Sequence, residues 1–385
     1  MASTETEMSD TARDLARQVL IHGPISRADL GRRLGLSPAS LTRLSKPFLE
    51  RGLFVETAEA APAGAGRPAK PLDVRVDARR FIGIKLTGEL AHGVLTDLRA
   101  SVLAETERTL GAHDLDAVVD TLVEIVRDLR AADAAADAEL AGVGLSIGGN
   151  VAGQRIVTRA PFLGWRDVAL ADVLEARLGV PVDLENDVTA LTTAEQWFGA
   201  VRGRDAFAVV TIGAGVGYGL VMHDRVVTTI DSGLGLGGHL PLDPNGPMCP
   251  EGHRGCSSAM LSIPSITAQL GIALGREVDY DEVLHLAAEG HPLAVSITTA
   301  AGRALGRMMA LIANLAMVDT IVLSGEGMAL WNVVGDVALA ALAEDRDPDA
   351  SPVEVLVDEA GFVSWARGAA AVAIQAALGR LRLPA

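Results

Sequence analysis

The sequence predicts two unlike parts: a small helix-turn-helix head near the N-terminus, and a larger mixed α/β body after it. Three observations carry this. Residues 11–50 hold three short runs whose apolar residues recur at helical spacing, with capping residues at their ends. From about Asp73 the pattern changes to short apolar strands that end in glycine turns and alternate with helical stretches. Charge divides along the same line. Residues 11–70 carry ten Lys and Arg against five Asp and Glu, a net of +5, so the rest sums to −21 within the total of −16. A basic module on an acidic body suits a protein that touches nucleic-acid phosphate with one end only; a basic solvated helix pair is the alternative.

Length and composition bound the rest. At 385 residues, 49% of them hydrophobic, the chain exceeds what one core serves, and two or three domains are expected. Aromatic residues make up only 3%, so the cores should be aliphatic and helices should approach closely through small residues. No apolar run reaches the ~18 residues of a membrane span. The opening "MASTETEMSD" lacks the basic start and apolar middle of an export signal. A cytoplasmic protein with no membrane partner is expected.

In the head, Leu15, Val19 and Leu20 line a first helix that Gly23-Pro24 ends. Ser26 caps a second helix, with Leu30 and Leu34 facing inward and Gly35 as its stop. Ser37-Pro38 is an N-cap followed by a first-turn proline, and Leu41, Leu44 and Phe48 form the buried stripe of a third helix. Pro47 should bend or end that helix near Lys46. Two helices joined by a glycine-containing turn describe a helix-turn-helix whose second helix enters the major groove of double-stranded DNA. Its outer face carries Ala39, Ser40, Thr42, Arg43 and Lys46, which with Ser37 are the candidate DNA contacts. "GLFVETAEA" reads as the start of a wing strand. The head is assigned to residues 11–60 and a Pro/Gly/Ala linker to 61–72. Within the linker, Gly-Arg-Pro is either an ordinary flexible piece or a narrow segment that lays Arg67 in a minor groove.

The body is assigned to residues 73–385. "RFIGIKLTGELAHGVLTDL" reads as strand, turn, strand, and "ELAGVGLSIGGNV" as a buried strand into a glycine turn. "VPVDLENDVTALTTAEQWFGA" delivers Asn186-Asp187 to a helix start, where Asp187 can cap. The run Gly213–Gly219 sits between two strands, with His223-Asp224 at the following hairpin turn. A dinucleotide loop must instead open a helix, which excludes a dehydrogenase. Strand, glycines, strand is how actin-like and sugar-kinase folds bring backbone amides near phosphate. Both cysteines, Cys249 and Cys256, lie in "CPEGHRGC", with Glu251 and His253 between them and His239 ten residues before the first. In a reducing compartment a disulfide is disfavoured, leaving a metal site or free thiols.

"GVGLSIGGNV", "APFLGWRD", "LENDVTALTTAEQWFGA", "VVTIGAGVGYGLVMHDRVV", "GLGGHLPLDPNGPMCPEGHRGC" and "IVLSGEG" resemble, in order and spacing, the ROK family of repressors, open reading frames and kinases. With its head, the whole chain from Thr11 onward resembles the transcriptional-regulator branch, whose DNA binding responds to sugars or their derivatives. The resemblance implies a two-lobed actin-like body, a homodimer or homotetramer, and a sugar-type effector near Gly149, Asn186, Asp187 and His239. It also implies structural zinc. The family motif places C-x-C-G-x-x-G-C after a Gly-His; here His239, Cys249 and Cys256 match, and Glu251 replaces the middle cysteine. Either Glu251 or His253 would complete a tetrahedral set.

The resemblance also implies what has been lost. The kinase phosphate turn D-x-G-G-T is Lys85-Leu86-Thr87-Gly88-Glu89 here, and a second threonine is Ala214. ATP binding is therefore not expected, and no catalytic residue is assigned, although Asp187 stands where a kinase keeps its general base. Two sugar-binding glutamates are replaced by Leu236 and Ser258. The expectation is a DNA-binding transcriptional repressor with an ATP-incompetent sensing body. A sugar kinase and a ligand-independent scaffold are the alternatives.

Overall fold

The computed structural model describes residues 5–57, 70–135 and 137–384, so Arg67 and most of the expected linker lie outside the described residues. Strand β1 (Glu5–Glu7) leads into α1 (Asp10–His22), capped by the Ser9 hydroxyl, which accepts from the Ala12 N–H. α1 buries Leu15, Val19 and Leu20. α2 (Arg27–Leu34) is capped by Ser26 and closed by Gly35 in the left-handed conformation, φ 64°. α3 (Pro38–Glu50) starts at Ser37, whose hydroxyl accepts from the Ser40 N–H at 3.2 Å.

Of the two outcomes expected at Pro47, the end near Lys46 is corrected: α3 runs through the proline to Glu50. The proline forfeits one bond, to the carbonyl of the exposed Arg43, which water can satisfy. Beyond it, Phe48 is 1% exposed and stacks on Phe54 with ring centroids 4.5 Å apart, which holds the last turn in place.

The wing is a two-stranded sheet in which β2 (Phe54–Glu56) pairs antiparallel with β3 (Leu72–Val74). Leu72, read as the last linker residue, is thus a fully buried wing residue. A three-residue strand is too short to show alternation in the sequence, which is why it went unseen.

The body contains two five-stranded sheets built on one plan. In the first, β4 (Arg80–Leu86), β5 (Leu90–Thr96) and β6 (Val102–Thr109) form an antiparallel meander. After α4 (Leu115–Ala132), β7 (Leu140–Ile147) joins β4 in parallel. A small side sheet of β8 (Asn150–Ala152), β9 (Ile156–Ala160) and β10 (Trp165–Val168) and helix α5 (Leu170–Leu178) follow. β11 (Val182–Asn186) then completes the order β11-β7-β4-β5-β6. Helix α6 (Asp187–Phe198) crosses to the second sheet. There β12 (Phe207–Ile212) and β13 (Val216–Met222) form a hairpin edged by β14 (Arg225–Val226). α7 (Ser257–Leu261), α8 (Ile263–Leu274), α9 (Tyr280–Ala288) and α10 (Pro292–Ala316) precede β15 (Thr320–Ser324). α11 (Trp331–Glu344) leads to β16 (Glu354–Val357), giving the order β14-β13-β12-β15-β16. In both sheets an antiparallel hairpin is extended on its other side by two parallel strands.

α12 (Phe362–Arg380) is followed by β17 (Arg382–Pro384), which pairs with β1. By length and composition α12 is apolar enough to cross a membrane, yet it is a core helix. It lies so close to β4 and β7 that a Cβ on Gly83 would sit 2.0 Å from the Ala366 carbonyl oxygen, and one on Gly144 1.8 Å from that of Ala369. One apolar core joins head and body, with Leu15, Leu20, Phe48 and Phe54 packed among Phe81, Trp197, Ala373 and Ile374.

Candidate functional site

The head turns one face of α3 outward. Ser37, Ala39, Thr42, Arg43 and Lys46 are exposed, and Ser40 is half-buried. The Ser40 hydroxyl lies 3.1 Å from that of Ser37, and the Thr42 hydroxyl donates to the Pro38 carbonyl at 2.9 Å. Both keep lone pairs for an outside donor. Lys46 makes an exposed pair with Glu50 at 3.5 Å, a weak tie. Elsewhere in the head, Arg27 and Lys70 converge on Glu56 of the wing at 2.7 and 3.3 Å. The Arg27 hydrogen bond, with help from Lys70, holds the Glu56 carboxyl below the usual range.

The head is fastened to the body at one end of α6. Arg17 of α1 pairs with Asp224 at 3.0 Å, and its guanidinium lies 5.9 Å from the Trp197 ring centroid. The Gln196 amide donates to the same Asp224 at 3.1 Å. Asp224 sits where the sequence placed the hairpin turn, with φ 60°.

Three of the four expected ligand residues meet at the other end of α6: Asp187 opens it, Asn186 caps it, and Gly149 reaches it from the turn after β7. The Asn186 amide donates to the Gly149 carbonyl at 2.9 Å, and its Oδ1 accepts from the Thr189 N–H at 3.1 Å. The helix cap is therefore Asn186, and the expectation that Asp187 caps is corrected. The shorter reach to the third residue on belongs to the position before the first helical turn. Asp187 Oδ1 accepts from the Val188 N–H at 2.9 Å and from the Asn186 amide at 3.1 Å. Its Oδ2 accepts from the Lys85 ammonium. That pair is largely buried, the side chains being 7% and 15% exposed. Lys85 Nζ also lies 4.7 Å from the Trp365 ring centroid. Lys85 as the partner of Asp187, and Trp365 beside it, were not foreseen. The available signal was a lysine inside the otherwise apolar strand "RFIGIKL", since a buried ammonium requires a carboxylate.

His239 faces a different cluster. His239, Cys249 and His253 bring their donor atoms within 4.8 Å of one another. Cys249 Sγ lies 3.9 Å from His239 Nδ1 and 3.6 Å from His253 Nδ1, and Cys256 Sγ lies 3.8 Å from His239 Nδ1. Metal–ligand bonds of about 2.0–2.3 Å in a tetrahedron set neighbouring nitrogen and sulfur donors about 3.6 Å apart, so this donor set fits zinc. Of the two options for the fourth place, His253 joins the cluster. Glu251 is not in that cluster, and its carboxyl is held below the usual range chiefly by the neighbouring Cys249 thiol. Burial pushes the Cys256 thiol up. Two tight turns shape the loop, at Gly252 (φ 87°) and Gly255 (φ 57°), and a Cβ on the latter would meet the Asp243 carbonyl at 1.5 Å. Leu236 is 63% exposed.

Similar sequences and solved structures share this architecture. The DNA-binding transcriptional repressor Mlc of Escherichia coli K12 is 29% identical over 304 residues, covering 76% of this chain and 75% of Mlc. The xylose repressor of Bacillus subtilis 168 is 25% identical over 273 residues, 71% of each chain. Among solved structures, a ROK family transcriptional regulator that is a homologue of the E. coli protein matches with a TM-score of 0.79 at 26% identity over 96% of both chains. A ROK family glucokinase from Streptomyces griseus, in complex with glucose and AMPPNP, shares the fold with a TM-score of 0.64 at 24% identity, over 76% of this chain and 98% of the kinase. The ROK family model matches residues 81–376, and the chain belongs to the ROK family.

Proposed function

We propose that the chain is a sequence-specific DNA-binding transcriptional repressor whose affinity for an operator is set by a sugar or sugar derivative bound in the body. The observation that carries the reading is a helix-turn-helix whose second helix turns Ala39, Thr42, Arg43 and Lys46 outward, sharing one core with a body in which a lysine holds Asp187. Ser37 and Ser40 lie at the start of that helix, where an N-terminus favours phosphate. Arg67 is retained as a DNA contact on sequence grounds alone. A homodimer or homotetramer would present two heads to a palindromic site.

The effector would be held by Gly149, Asn186 and Asp187, and His239, which belongs to the metal cluster, is retained as an effector residue on the resemblance alone. Asn186 and Asp187 open α6 while Gln196 and Trp197 close it against Arg17 of the head, so one rigid helix reaches from the effector residues to the DNA-binding part. Zinc would be held by His239, Cys249, His253 and Cys256, with Glu251 beside Cys249; when bound it keeps the sulfurs as thiolates and ties the loop. The kinase alternative is disfavoured by Lys85. A general base must be free to reach a substrate proton, and Asp187 Oδ2 is already engaged by the Lys85 ammonium.

Fluorescence anisotropy of the full chain on duplexes from its own upstream region, at several salt concentrations and with a panel of hexoses, pentoses and amino sugars, tests the reading. Salt-sensitive binding altered by one sugar is expected. Indifference to every duplex at low salt, or sugar phosphorylation from ATP, would defeat it.

A further inference from the structure

In the β12–β13 turn the Gly213 N–H donates to the Gly215 carbonyl at 2.9 Å, and the Ala214 N–H is left for an acceptor outside the turn; a turn amide so placed can receive an anion. Here the anion comes from the chain itself. Glu326, just past β15, places Oε1 2.7 Å from the Ala214 N, accepting its N–H, while Oε2 accepts from the Trp365 indole N–H at 3.3 Å. Contact with the turn is so close that a Cβ on Gly213 would lie 2.0 Å from the same Oε1. Among the described residues Glu326 makes no ion pair; its carboxylate is satisfied by the amide and the indole. The Gly325 backbone that delivers it has φ 108°, a conformation that favours glycine. The same indole carries the Lys85 ammonium 4.7 Å from its ring centroid, and Lys85 holds Asp187. An internal anion on the second sheet and an internal cation on the first are thus joined through one tryptophan.

We infer that this glycine turn is an anion site filled from within, the Glu326 carboxylate taking the place of a phosphate group and excluding phosphate, pyrophosphate and the phosphate tails of nucleotides from the body. The inference rests on the proposed non-kinase reading and deepens it by naming the group that closes the site. Removing the carboxylate leaves the Ala214 N–H and the Trp365 indole N–H aimed at one vacated position. That position accepts a multivalent oxyanion at millimolar concentration.

The test compares full-length wild type, Glu326→Ala and Glu326→Gln by thermal shift in sodium pyrophosphate against sodium chloride of equal ionic strength. In Glu326→Ala, pyrophosphate at tenfold excess over its dissociation constant raises the midpoint by about 2 °C more than chloride. Wild type and Glu326→Gln, whose isosteric side chain still covers the amide, show no such difference. An equal response in wild type, or none in a cooperatively melting Glu326→Ala, overturns the inference. If Glu326→Ala does not fold, Glu326→Ser takes its place, its hydroxyl being too short to reach Ala214. As a check that needs neither variant, the Ala214 amide proton resonance moves upfield in Glu326→Gln as a charge-assisted bond becomes neutral. An unmoved resonance counts against the inference. Operator binding measured in parallel separates the outcomes. DNA binding without a pyrophosphate response in Glu326→Ala sinks this inference alone, and the converse sinks the proposed function alone.

Discussion

Replacing Lys85 by methionine keeps most of the side chain's length and apolar bulk and removes the ammonium that pairs with Asp187. Both partners are largely buried, so the loss is not screened away as it would be on the surface. Removing one member of a buried ion pair costs roughly 3–5 kcal/mol, because the other charge is stranded. Asp187 keeps its bonds from the Val188 N–H and the Asn186 amide and some contact with water, which places Lys85→Met near the lower end, about 3 kcal/mol. Asp187→Asn strands the ammonium in turn, but that charge retains the face of Trp365, so about 2 kcal/mol is expected. The double variant strands nothing. It should be less destabilised than the sum of the singles, with a coupling of about 2 kcal/mol. Urea unfolding of the four proteins at neutral pH, with a common slope, measures it. A coupling below about 0.5 kcal/mol would refute the claim that the lysine has become a fixed partner of Asp187.

Three further outcomes follow from other parts of the molecule. Zinc should be found at close to one ion per chain by elemental analysis. Cys249→Ser should lose it together with part of the thermal stability, and Glu251→Gln should keep it; a chelator that leaves the melting midpoint unchanged would argue against a structural ion. Arg43→Ala should weaken operator binding by about 1–3 kcal/mol. An unchanged salt slope would mark Arg43 as a reader of bases and a shallower one as a phosphate contact, whereas unchanged affinity would remove it from the interface. Glu195, 5% exposed in α6, has its carboxyl raised by burial first and by Asp358 next, against the lowering effects of Arg367 and of the Ala200 N–H. A raised folded-state pKa means that stability present below the ordinary glutamate range is lost as pH rises through the folded value. Glu195→Gln should therefore be more stable than wild type at pH 8 by urea unfolding, and the gap should close as pH falls towards 4.5, the ordinary glutamate value. A gap independent of pH would show that the carboxyl is not raised by burial and ionises in the fold as it does in the unfolded chain.

What could be read from the sequence is what is encoded locally. Ser26, Gly35 and Ser37 act through neighbours three or four residues away, so their capping roles are visible in a string of letters, and the structure places them as read. The hairpin turn at His223-Asp224 was legible for the same reason. The wing's return strand was not, because its partner lies across a segment of uninformative composition and its three residues carry no period. The same divide runs through the candidate site. Spacing brought His239, Cys249 and Cys256 into one motif, but choosing between Glu251 and His253 needed the folded course of the loop, with its left-handed turns at Gly252 and Gly255. Lys85 shows the limit most clearly. Its departure from a kinase pattern was readable and argued only for loss, whereas its partner stands 102 residues away and its position over Trp365 depends on how α12 crosses the first sheet. That crossing is permitted by Gly83 and Gly144, two glycines that in sequence look like weak points in strands. A substitution that reads as decay of an enzyme is, in three dimensions, half of a buried pair, and whether it was gained for sensing is decided by whether operator control survives its removal.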